Sequence, residues 1–120
     1  MRKVYPDDSL MLHTDFYEIN MMYTYWKKGI NKRHAVFEAY FRKIPFENGY
    51  AIYAGLERII GFLENFRFTE SDLAYLRERE NFDPEFVDYL ANMKFECTIR
   101  SAQEGDLVFN EEPVLQVRSE

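Results

Sequence analysis

The sequence predicts an α+β fold, in which helices accompany a mixed or antiparallel sheet. Three observations carry this reading. Apolar residues recur at spacings of three and four over 16–30 and 56–63. They alternate with other residues over 35–41 and 95–99. Cap and turn residues separate these stretches: Pro45, Asn48 and Gly49, then Thr69, then Asp83-Pro84, then Glu104-Gly105.

The elements follow in order. Asp7 to His13 reads as an extended lead-in, and Thr14 as the N-cap of a first helix whose hydroxyl accepts from an otherwise unpaired amide. Asp15 and Glu18 fall in the first turn, where negative charge suits the helix dipole. Phe16, Ile19, Tyr23, Trp26 and Ile30 form the apolar stripe; Lys27 and Lys28 suit the C-terminal end, and Gly29 stops the helix. A strand over Arg33–Arg42 carries bulk on both faces, with Ala35, Phe37, Ala39 and Phe41 on one of them.

A loop over Lys43–Gly49 leads to a short strand at Tyr50–Tyr53. A helix over Gly55–Asn65 presents Leu56, Ile59, Ile60 and Leu63. Thr69 caps a third helix bearing Leu73, Tyr75 and Leu76. Asp83 followed by Pro84 starts a fourth, through about Met93. From Lys94 the pattern is β again: Phe95, Cys97 and Ile99 alternate, and Leu107–Phe109 and Val114–Val117 flank the tip Asn110-Glu111-Glu112-Pro113. The core is expected at Phe37/Phe41 and Leu56/Ile60/Leu63, with Met21 and Met22 as packing filler.

Composition narrows the function classes. With 15 basic and 21 acidic residues the net charge is −6, which opposes a general nucleic-acid surface. Cys97 is the single cysteine, so neither an internal disulfide nor a thiolate zinc cluster can form, and a cytoplasmic setting is the simplest reading. No window approaches the roughly 20 apolar residues of a membrane span. Aromatic residues reach 18%, more than one small core needs, so some rings are expected to face a ligand or a partner. The acidic set Glu70, Asp72, Glu78 and Glu80 reads as a solvated helix face and no metal site is expected. Arg42 and Lys43 close a strand, where a guanidinium fork could grip phosphate oxygens.

Four segments in register are shared with a known family. Leu12-His13-Thr14-Asp15-Phe16-Tyr17-Glu18 resembles the opening Thr-Asp-x-Tyr motif of nicotinate phosphoribosyltransferases. The run from Phe37 through Arg42-Lys43-Ile44-Pro45-Phe46 is similar to that family's Phe-Glu-x-x-Phe-Arg-Lys-x-Pro-Phe segment. Gly49–Leu56 follows at the family's distance, and Glu104-Gly105 through Pro113-Val114-Leu115 resembles its Glu-Gly hairpin.

The resemblance implies an enzyme joining nicotinate to phosphoribosyl pyrophosphate with ATP hydrolysis, on a salvage route to NAD, with Mg2+ and ATP as cofactors of the full-length protein. It implies a homodimer whose site forms at the subunit interface. It also implies that residues 1–120 are an N-terminal domain preceding a barrel-like domain that this sequence lacks. The strands over 94–120 are then expected to pair with missing downstream segments. The histidine that the family phosphorylates lies further on; neither His13 nor His34 matches it, so no catalytic residue is expected in this segment and the 120 residues alone are expected to be inactive.

By the same resemblance Tyr17 stacks on the pyridine ring, Asp15 orients Tyr17 or a substrate group, and Arg42 contacts phosphate. The plain role of Asp15 is dipole compensation. Tyr17 lies off the Phe16/Ile19/Tyr23 stripe, which argues against simple packing.

Two other readings stand beside this one. A freestanding, non-catalytic dimerisation or ligand-presenting domain would also leave aromatic surface exposed. A nicotinamide-specific transferase shares part of the pattern, although Phe-Arg-Lys-x-Pro-Phe fits the nicotinate enzymes better. The Glu104–Val117 segment also resembles a biotinyl or lipoyl carrier hairpin. Its tip lacks the lysine a carrier needs, so only a barrel-sandwich shape is expected of the C-terminal strands.

Overall fold

The computed structural model describes residues 10–119. Its elements in chain order are α1 (Phe16–Lys27), β1 (Val36–Tyr40), a 3-10 turn (Pro45–Glu47), β2 (Ala51–Ile52), α2 (Leu56–Glu64), α3 (Glu70–Arg79), α4 (Pro84–Ala91), β3 (Cys97–Ser101), β4 (Leu107–Val108) and β5 (Pro113–Ser119). This is an α+β chain with small antiparallel sheets. It divides into two compact units, one of residues 1–32 and 65–95, the other of residues 33–64 and 96–120.

The first unit is helical. Residues 7–9 of the expected lead-in lie outside the described residues. From Leu10 the chain turns rather than extends, because the His13 amide donates to the Leu10 carbonyl at 3.0 Å. The N-cap of α1 is Asp15, not Thr14, and its side chain makes no capping bond. The Thr14 hydroxyl instead donates to the Glu18 carboxylate. At the other end Gly29 takes φ +66°. The Gly29 amide bonds the Trp26 carbonyl and the Ile30 amide that of Tyr25, each at 3.0 Å, a Schellman closure that needs this left-handed residue.

α3 opens on a capping box. The Thr69 hydroxyl accepts from the Asp72 amide, while the Asp72 carboxylate accepts from the Thr69 amide at 2.8 Å. Asp72 is therefore 7% exposed, a correction to the solvated acidic face expected of it. Pro84 takes the first turn of α4, where its missing N–H costs nothing.

The core of this unit joins Ile19, Phe68, Leu73, Leu76, Phe82, Phe86, Val87 and Leu90, with Tyr23 and Trp26 packed against it. Tyr23 meets Phe82 and Phe86 edge-on, both with centroids 5.0 Å apart. Edge-to-face geometry aims a positive ring edge at a negative face.

Beside this core, Lys27 donates to Asp83 at 2.5 Å and to the Tyr23 hydroxyl at 3.0 Å. The hydrogen bond from Lys27, then one involving Tyr23, holds the Asp83 carboxyl below its usual range. The bond to Asp83, then that to Tyr23, raises Lys27. The pair is solvent-exposed and weak. A lowered carboxylate contributes stability above the ordinary Asp range and loses it as pH falls through the depressed value. Acid titration of unfolding should therefore show a stability loss in this chain that Asp83→Asn reduces and high salt flattens. An unchanged acid limb in Asp83→Asn would mean that the ion pair contributes nothing.

The second unit is built on strands. β5 lies between β1 and β3, antiparallel to both, and β2 pairs with β4. β4 and β5 are thus not the two arms of one hairpin: each pairs with earlier strands. A small core of Tyr53, Val108 and Val114 is flanked by Phe41, Ala51, Leu56 and Ala102. The Asn110 side chain accepts from the amide of buried Ile44 at 2.7 Å, tying the loop after β1 to the turn before β5. Glu104 accepts from the Gly55 amide at 2.8 Å and the Glu57 amide at 3.3 Å, so its carboxylate closes the N-terminus of α2 from a distant loop.

The core expected here is corrected in part. Phe37 is 71% exposed and Ile60 44% exposed, whereas Phe41 and Leu56 do pack. Every residue of β1 is exposed, because among the described residues no layer covers it.

Candidate functional site

Asp15 and Tyr17 belong to the first unit and share the opening turn of α1. Asp15 has extended backbone at φ −71° and ψ 137°, and its carbonyl accepts from the Glu18 amide at 3.0 Å. Its carboxylate is exposed and has no hydrogen-bond partner among the described residues. One turn of Thr14–Glu18 pairing leaves this acid free: the neighbouring hydroxyl is bound to Glu18, and no amide of α1 is bound to the Asp15 side chain.

Tyr17 is 59% exposed. Ile19, buried, faces the opposite side of the helix about 200° away at 100° per residue. Tyr17 begins a second stripe with Met21 and Tyr25, at spacings of four, and all three are exposed. Neither the ring nor the hydroxyl of Tyr17 has a partner among the described residues. The i, i+4, i+8 spacing of this stripe is present in the sequence beside the main stripe through Ile19 and Trp26. Met21, expected as packing filler, is exposed.

Arg42 belongs to the second unit, in the bend two residues past β1, which ends at Tyr40 rather than running to Arg42 as expected. It is exposed, and its guanidinium makes no ion pair or hydrogen bond among the described residues. Lys43 is exposed as well, next to buried Ile44. An exposed guanidinium in the bend after a strand can meet an anion.

The described residues include no group of three or more His, Cys, Asp or Glu side chains arranged to hold a metal ion. Among them no helix is long and apolar enough to cross a membrane. Cys97 is a free, half-buried thiol in β3.

Residues 12–120 match the family model of the nicotinate phosphoribosyltransferase (NAPRTase) N-terminal domain. The chain belongs to the nicotinate phosphoribosyltransferase family. Relatives bearing that name include the Bacillus subtilis (strain 168) protein, 51% identical over 115 residues, which cover 96% of this chain and 24% of that protein. The Caenorhabditis elegans protein is 44% identical over 115 residues, 92% of this chain and 20% of that one. The crystal structure of human nicotinic acid phosphoribosyltransferase superposes with a TM-score of 0.77 at 36% identity, covering 88% of this chain and 22% of that chain. This chain therefore spans a quarter or less of the length of these relatives. The likeness to the human enzyme supports the α+β architecture of a nicotinate phosphoribosyltransferase N-terminal domain.

Proposed function

We propose that this chain is the N-terminal part of an enzyme that forms nicotinate mononucleotide and pyrophosphate from nicotinate and phosphoribosyl pyrophosphate, with ATP hydrolysis, in NAD salvage. The observation that carries the reading is the opening turn of α1. It holds an exposed aromatic ring and an exposed carboxylate, neither with a partner among the described residues, within a chain of the nicotinate phosphoribosyltransferase family.

A flat, electron-poor pyridine is well held by stacking on such a ring, and Tyr17 supplies it. Asp15, two residues away, orients Tyr17 or a polar group of the substrate. Arg42 offers a bidentate fork to a phosphate. Transfer from a ribosyl pyrophosphate builds positive charge on the sugar as pyrophosphate leaves, so the reaction needs an oriented ring nitrogen and charge stabilisation on the phosphates. This chain supplies orientation and, through Arg42, one phosphate contact. The other groups that act on the phosphates, together with Mg2+ and ATP, belong with the remainder of the enzyme. The barrel-sandwich shape of the C-terminal strands, their pairing with downstream segments, a homodimeric site and a cytoplasmic location complete the same reading.

The test is an assay of the whole enzyme carrying this segment, with phosphoribosyl pyrophosphate and ATP, for mononucleotide formed from nicotinate or from nicotinamide. Nicotinate mononucleotide is the expected product, increased by ATP. Turnover of nicotinamide alone would make the enzyme amide-specific and overturn the substrate assignment. Turnover of neither would overturn the activity.

A further inference from the structure

The three-stranded sheet has a face that the transferase reading does not use. Directly paired residues of an antiparallel ladder project to the same side. The register pairs Val36 with Arg118 and Arg118 with Thr98, then Glu38 with Gln116 and Gln116 with Arg100. Arg100 and Arg118 therefore stand on one face as diagonal neighbours, about 7–8 Å apart. Their long side chains can reach a common point.

Thr98, Arg100, Gln116, Arg118, Ser119 and His34 line an open cavity of about 490 Å³ over this face. His34 is held there by a 3.4 Å contact between Nδ1 and the Ser119 carbonyl; a carbonyl only accepts, so Nδ1 is the donor. Glu38, an acid on the same face, is engaged by the Gln116 amide at 2.7 Å and does not line the cavity. Neither arginine has an ion-pair partner among the described residues. In a chain of net charge −6, two unpaired guanidiniums over one cavity are not what composition alone would place together.

We propose that this sheet face binds a phosphate group of a small-molecule ligand. Phosphate fits better than a carboxylate. It carries about −1.5 to −2 charge when attached as a monoester and offers three acceptor oxygens, enough for two forks at once. A carboxylate carries a single charge and is satisfied by one fork. The site is independent of the Tyr17 assignment, and its test needs no turnover.

The experiment titrates the whole enzyme carrying this segment with inorganic phosphate, and separately with acetate, following the guanidinium resonances of Arg100 and Arg118 and the ring of His34 by NMR. Phosphate is expected to shift all three together, with acetate far weaker. Arg118→Gln and Arg100→Gln should each weaken phosphate by roughly tenfold, the scale of one lost charge-assisted contact. Both side chains are exposed, so the remaining amide spectrum should be unchanged. Equal response to acetate would overturn the ligand class. No shift at these residues, or an unaltered affinity in the double variant, would overturn the site.

Discussion

Tyr17→Ala in the whole enzyme is expected to lower kcat/KM for nicotinate by about 10- to 100-fold while leaving the fold intact. The size follows from what a stacked ring contributes: about 0.5–1.5 kcal/mol for ring geometry, with the buried aromatic area adding to it. Each 1.4 kcal/mol is about tenfold. The fold should survive because the side chain is 59% exposed and has no partner among the described residues. Exposed positions of this kind change stability by about 0.5 kcal/mol or less. Tyr17→Phe separates the ring from the hydroxyl. Near-normal kinetics in Tyr17→Phe would place the contribution in stacking. A Phe variant as impaired as the Ala variant would place it in the hydroxyl. Wild-type kinetics in the Ala variant would remove Tyr17 from the site.

The parts of this site that were legible in the sequence are those fixed by short-range geometry. Thr69 and Asp83-Pro84 mark helix starts because capping is decided within a turn, and α3 and α4 begin where those residues predict. Tyr17 lies off the buried stripe because 100° per residue puts it there. The one-residue error at α1 has a local cause too. Thr14 and Asp15 are both good cap residues, and the choice turned on where the Thr14 hydroxyl donates, which is Glu18.

What the sequence did not reveal depends on distant partners. Residues 104–117 look like a hairpin, because two short apolar runs flank a turn. Yet β4 pairs with β2 and β5 with β1 and β3, choices made by strands some 55 to 80 residues earlier in two of the three cases. Alternation put Phe37 on a face of β1 but could not say whether anything covers that face, and nothing among the described residues does. Glu104 looks like a turn residue in the sequence, but its capping of α2 joins residues 49 and 47 apart. The Arg100/Arg118 face became visible only once the register was known.

Phe86→Ala is expected to cost about 3–5 kcal/mol, the range for removing a large aromatic from a closed core. Phe86 is fully buried and stands at the centre of the ring cluster, touching Phe82, Tyr23, Trp26 and Tyr89. The helices of this unit are short, at 12, 10 and 8 residues, and isolated helices below about 12–15 residues are marginal in water. Their stability must come from packing, and the rings are the bulk of what is packed. Small domains hold about 5–15 kcal/mol in total, so this one truncation removes a large share of it. Urea unfolding followed by far-ultraviolet circular dichroism would measure the loss, with Phe86→Leu as the comparison. Leucine keeps much of the apolar volume but no ring edges, so it should retain more than half of what alanine loses. A loss under about 1 kcal/mol for Phe86→Ala would show that the helices hold together without the ring cluster. A leucine variant as unstable as the alanine variant would place the stabilisation in ring-to-ring geometry rather than in buried volume.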